Sequence, residues 1–125
     1  MSKPKKILLV EDDPFLIDIY NTKLTDSGFE VVVAKKGNLA LKKIKEENPD
    51  LVLLDIVLPG MDGWEVLRKI NQEDKGKNCK VAILSNLGQK EEVDKGLEMG
   101  AIEYFIKAHY TPEEITIKIK EILNE

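Results

Sequence analysis

The sequence predicts an α/β fold in which five parallel strands form one doubly wound sheet with helices on both faces. Two observations lead there. Apolar runs at residues 6–10, 30–33, 50–54, 80–84 and 102–106 are short and unbroken, the pattern of strands buried on both sides. Five longer amphipathic stretches alternate with them through short links, so each strand is followed by a helix and no segment is left over.

Each element has its own justification. Ile7-Leu8-Leu9-Val10 is the core of the first run, and Asp13-Pro14 opens the first helix with an N-cap acid. Leu16, Ile19, Tyr20 and Leu24 then recur at helical spacing until Asp26-Ser27-Gly28 stops them. Val31-Val32-Val33 forms the second run. Leu41 and Ile44 begin the face of a second helix, which Asn48-Pro49 closes. Leu51-Val52-Leu53-Leu54 is the third run, followed by a Pro59-Gly60 turn and an Asp62-Gly63 cap. Trp64, Leu67 and Ile70 mark the third helix, with Trp64 expected to be partly exposed. Cys79 opens the fourth run as a small buried residue, and Val93 and Leu97 mark the fourth helix. The fifth helix carries Ile115, Ile119, Ile122 and Leu123, with Ile117 off that face. It is entered through Thr111-Pro112-Glu113-Glu114: a Thr cap, Pro at the first helical position and Glu at the third.

Composition narrows the function classes. At 125 residues the chain is the size of one domain, expected to span 1–125 without an effector domain. Such a domain buries enough surface to fold without a disulfide or structural metal. The 19 basic against 23 acidic side chains give a net charge of −4, which does not favour nucleic-acid binding. The single cysteine forms no intramolecular disulfide, and no apolar run reaches the length of a membrane span. Lys3, Lys5 and Lys6 precede only four apolar residues before Glu11-Asp12-Asp13, too few for a signal peptide, so none is expected here. The expected compartment is the cytoplasm, with no membrane partner.

Polar residues collect where strands end. The first run ends in Glu11-Asp12-Asp13, the third in Asp55, the fourth in Ser85 and the fifth in Lys107. In a parallel sheet these ends share one edge, where ligand sites form. The second run ends in Val33-Ala34, as suits an edge strand away from the site. Glu11, Asp12 and Asp55 side by side repel one another unless a proton or a cation intervenes. Carboxylates without His or Cys suit a hard cation, and Mg²⁺ is the usual choice beside phosphate. A carboxylate such as Asp55 can then attack a phosphoryl group and form an acyl phosphate. Lys107 would neutralise charge on that group and Ser85 would donate a hydrogen bond to it. The three acids after strand one also suit a helix N-terminus, where the macrodipole favours negative charge.

Here the sequence resembles the receiver domains of two-component response regulators. The resemblance rests on Leu8-Leu9-Val10-Glu11-Asp12-Asp13-Pro14, Leu53-Leu54-Asp55-Ile56-Val57-Leu58-Pro59-Gly60-Met61-Asp62-Gly63, Leu84-Ser85 and Tyr104-Phe105-Ile106-Lys107, in order over the whole chain. It implies a flavodoxin-like (βα)5 fold with strand order 2-1-3-4-5. It implies that Asp55 accepts a phosphoryl group from a histidine kinase, a histidine phosphotransfer protein or a small phosphodonor. Glu11, Asp12, Asp55 and the Val57 backbone carbonyl would hold Mg²⁺, with Asp12 the more direct ligand of the acidic pair. Ser85 takes the place of the switch hydroxyl, Lys107 of the phosphate-contacting lysine and Tyr104 of the aromatic rotamer switch. Output would pass through protein contacts on the face of helix four, strand five and helix five, from a stand-alone monomer or weak dimer.

Two residues depart from the family. Ala108 follows Lys107 where Pro is usual. A non-proline cis bond costs about 2.5–4 kcal/mol, so this turn is expected to be trans and differently shaped. Asn86 follows Ser85 where a small side chain is usual, and would narrow access to the acyl phosphate. His109, the only histidine, is read as loop. Three other classes compete. A haloacid-dehalogenase-type phosphatase needs a second Asp two residues after the nucleophile, where this chain has Val57. A dinucleotide-binding fold needs a Gly-rich first turn, which Glu-Asp-Asp-Pro is not. A pseudo-receiver, a binding module acting without phosphate, usually lacks the acceptor, an acid or the lysine, and all are present.

Overall fold

Parallel pairing joins the strands in the order β2-β1-β3-β4-β5 in a computed structural model that describes residues 3–73 and 79–123. The strands are β1 (Lys6–Val10), β2 (Glu30–Ala34), β3 (Leu51–Leu54), β4 (Lys80–Ser85) and β5 (Glu103–Ile106). The helices are α1 (Pro14–Asp26), α2 (Gly37–Glu47), α3 (Gly63–Gln72), α4 (Lys90–Glu98) and α5 (Pro112–Ile122). This is the expected flavodoxin-like (βα)5 arrangement. The termini and residues 74–78 of the expected 1–125 domain lie outside the described residues.

Side-chain alternation along the strands makes two cores. Leu8, Val10, Val52, Leu54, Val81, Ile83 and Tyr104 face α2, α3 and α4. Ile7, Leu9, Leu51, Leu53, Ala82, Leu84 and Phe105 face α1 and α5. Both faces are covered, which is why the strands read as continuous apolar runs rather than as alternating ones.

The helix ends follow the local chemistry. Asp13 caps α1 by accepting from the Phe15 amide at 2.9 Å, and Asp62 caps α3 by accepting from the Glu65 amide at 3.0 Å. Thr111 and Glu114 form the reciprocal capping box of α5. Asn48 closes α2 in the left-handed region at φ 50°, which Asn tolerates better than most residues. One helix face differs from expectation. Leu97 is exposed, and the residue that α4 buries is Gly96. Trp64 is partly buried, as expected, packed against the core with the Lys95 ammonium 4.3 Å from its ring centroid. Ile117 is exposed, as its position off the α5 face implied. Among the described residues no helix is long and apolar enough to cross a membrane.

Leu53→Ala, at a fully buried position in the central strand β3, should cost about 2–5 kcal/mol in urea unfolding. Thr111→Ala should cost only about 1 kcal/mol.

Candidate functional site

The site is built on backbone that extends the sheet past its last formal residues. The Glu11 amide donates to the Ala34 carbonyl at 3.1 Å, and the Asp55 amide donates to the Val10 carbonyl at 3.1 Å. Both acids are therefore fixed by ladder hydrogen bonds while their side chains leave the carboxyl edge. Gly63 tightens the arrangement from above. A Cβ there would lie 2.4 Å from the Asp55 carbonyl oxygen and 2.6 Å from Ile56 Cα, so only glycine lets α3 begin this close.

Lys107 ties the acids together. Its Nζ donates to Glu11 Oε1 at 2.8 Å and to Asp55 Oδ2 at 3.0 Å, and all three side chains are largely buried. The second oxygen of Glu11 accepts from the Asp12 and Asp13 amides, each at 3.2 Å. Asp55 Oδ1 accepts from the Val57 amide at 3.3 Å. Asp12 is exposed, and its carboxylate takes part in no side-chain hydrogen bond among the described residues. One oxygen from each of Glu11, Asp12 and Asp55 lies within 4.8 Å of the others. Three carboxylates against one ammonium leave two formal negative charges when all are ionised. An all-oxygen donor set of that charge fits a hard divalent cation.

The titration behaviour follows from this packing. Burial pushes the Glu11 carboxyl above its ordinary value, and the Asp55 charge adds to the shift, while Lys107 and the Asp13 amide oppose it. For Lys107, burial alone would lower the ammonium; the bonds to Glu11 and Asp55 outweigh it and raise it.

The remaining predicted residues lie on the same side of the sheet. Ser85 is fully buried at the end of β4, and its Oγ accepts from the Leu87 amide at 3.2 Å. Tyr104 is turned inward, and its hydroxyl donates to the Leu87 carbonyl. One residue of the β4–α4 loop, Leu87, is thus held through its amide by Ser85 and through its carbonyl by Tyr104. Sequence reasoning missed this part for Leu87, because its contribution is made by backbone atoms. Val57 has an exposed side chain on the lip of the site, and Asn86 is exposed beside Ser85. Residues Lys107–His109 form a turn of 3-10 helix, and every described peptide bond is trans. With Ala108 in this turn, Lys107 still reaches both acids, and His109 is exposed rather than part of the cluster.

Comparison with known proteins fits this arrangement. The response regulator receiver domain family matches residues 7–120, and the chain belongs to that family. The alkaline phosphatase synthesis transcriptional regulatory protein PhoP of Bacillus subtilis (strain 168) is 39% identical over 121 residues, 95% of this chain and 48% of its own. The chain spans about half the length of the curated relatives it matches. A CheY-like receiver domain protein from Methanospirillum hungatei JF-1 superposes with a TM-score of 0.88 at 33% identity, over 97% of this chain and 94% of that one. The Mn²⁺-bound form of response regulator Rcp1 superposes with a TM-score of 0.85 at 28% identity, over 98% and 96%. Receiver domains are signalling domains of two-component systems, where they meet histidine kinases and downstream targets.

Glu11→Gln tests the electrostatics of the cluster. A carboxyl whose folded value is raised binds its proton more readily folded than unfolded, so ionised Glu11 costs stability above its folded value and that cost fades as pH falls through it. At neutral pH without divalent cations, Glu11→Gln should melt above the parent protein. The difference should shrink on acidification through the folded value of Glu11, as followed by thermal melts across pH.

Proposed function

We propose that the chain is a phosphorylation-dependent switch in which Asp55 accepts a phosphoryl group with the help of Mg²⁺. The observation that carries this reading is the Lys107 ammonium bridging Glu11 and Asp55 at the carboxyl edge. Asp55 attacks phosphorus with a carboxylate oxygen, the donor's leaving group departs, and an acyl phosphate forms. Lys107 exchanges part of its hold on the acids for the oxygens of the arriving group, whose negative charge it neutralises. Mg²⁺, when bound, supplies the rest of that neutralisation. Asp12 offers it a free carboxylate and Asp55 an oxygen, with the Val57 carbonyl as the backbone ligand. Glu11, with both oxygens engaged, acts chiefly by holding Lys107 and the loop amides. The Mn²⁺-bound Rcp1 supports a divalent cation in this setting.

The acyl phosphate then draws the Ser85 hydroxyl, which loosens its hold on the Leu87 amide, while Tyr104 meets the Leu87 carbonyl. Through that loop the state of Asp55 is read on the face of α4, β5 and α5 by a downstream protein. The phosphodonor is a histidine kinase or a histidine phosphotransfer protein, and the setting is the cytoplasm.

Intact mass after incubation with acetyl phosphate is the direct test. One phosphoryl group should be gained, only with Mg²⁺, stable to acid and labile to base, and absent from Asp55→Asn. Failure of the unmodified chain to gain it would leave a binding module that works without phosphate. In a second experiment, Mg²⁺ at about 100 times its dissociation constant should stabilise the protein by about 2.7 kcal/mol. Asp12→Asn should lose most of that gain in thermal melts.

A further inference from the structure

α4 rests on the sheet through a glycine. Gly96 is the buried residue of this helix, and a Cβ at that position would stand 2.6 Å from Ile83 Cδ1. The same Cβ would lie 2.9 Å from Cδ2 and 3.2 Å from Cε2 of the Tyr104 ring. Ile83 and Tyr104 are register partners on β4 and β5 and belong to the same core. Glycine is a poor helix former, so its place inside α4 calls for a contact that only bare backbone can make.

Other contacts hold α4 at this short distance. Lys95 Nζ lies over Trp64 of α3, and Asn71 at the end of α3 donates to the Met99 carbonyl just past α4. On the approach to α4, a Cβ at Gly88 would lie 3.1 Å from Ile106 Cδ1 and Cγ2 on β5. The helix is anchored on both sides of the ring, so it does not simply lift to make room. Ile83 is fully enclosed in the sheet. Tyr104, on an edge strand and retaining slight exposure, has a way out to solvent.

We infer that Gly96 is a positioning residue for the switch: the side chain it lacks leaves the space in which the Tyr104 ring lies while its hydroxyl reaches the Leu87 carbonyl. This deepens the reading of Tyr104 given above and rests on it. A methyl group at position 96 pushes the ring outward, breaks the bond to the Leu87 carbonyl and leaves Leu87 held only through its amide by Ser85. The chemistry at Asp55 is left intact, and what changes is its transmission to α4.

The test uses the full chain labelled with 3-fluorotyrosine, whose three tyrosines give three ¹⁹F resonances, with Tyr104→Phe assigning one. In the parent protein the Tyr104 resonance should be the same in H₂O and D₂O. In Gly96→Ala it should shift between the two solvents as an exposed tyrosine does, while acetyl phosphate still adds one phosphoryl group. A Tyr104 resonance that stays solvent-insensitive in folded Gly96→Ala overturns the inference. If Gly96→Ala does not fold, Gly96→Ala/Tyr104→Ser removes the ring: recovered folding supports the clash, and continued failure overturns it. Failure of the parent protein itself to gain a phosphoryl group overturns the acceptor reading, and the fluorine spectra then report separately on the ring.

Discussion

Two buried carboxylates share one ammonium, and the architecture around them depends on that bond. Unit charges 4 Å apart interact by about 4 kcal/mol at an effective dielectric near 20, a large part of the stability of an ordinary domain. Glu11 and Asp55 without Lys107 would therefore be a serious liability, and with it they become a cluster poised for a cation. The parallel sheet makes the cluster possible. It brings the ends of β1, β3 and β5 to one edge although the residues are far apart in sequence.

A division of labour runs through the site. The acids sit on backbone locked into the ladder by the Ala34 and Val10 carbonyls, so their geometry is as rigid as the sheet. Ser85 and Tyr104 converge instead on the backbone of Leu87, which belongs to a loop. Rigid groups suit chemistry that needs fixed distances, and a loop residue with two separate tethers suits a change of state. The same molecule thus fixes the acids on the sheet while a nearby loop is held by two side-chain bonds.

Much of this was legible in the chain itself. Strands buried on both faces gave apolar runs, and caps such as Asp13, Asp62 and Thr111 announced their helices because their side chains bond within three residues. Asp55 and Lys107 stood out because a charge at the end of a buried strand is costly unless it is paired. The face of α4 was misread for a physical reason: Leu97 carries the apolar signal, yet close packing against Ile83 and Tyr104 selects Gly96. Leu87 escaped notice because its role is played by an amide and a carbonyl that every residue possesses. The reach of Lys107 across a turn containing Ala108 rested on backbone shape, which composition does not encode.

The edge position of β5 carries a consequence for how the molecule is made. Lys107 is the last of the charged cluster to leave the ribosome, and β5, the strand before it, pairs among the described residues only with β4. Until that strand docks, a nascent chain holding β1 to β4 would have to bury Glu11 and Asp55 with no counter-charge between them. Completion of the sheet at β5 and neutralisation of its acidic edge by Lys107 are therefore coupled.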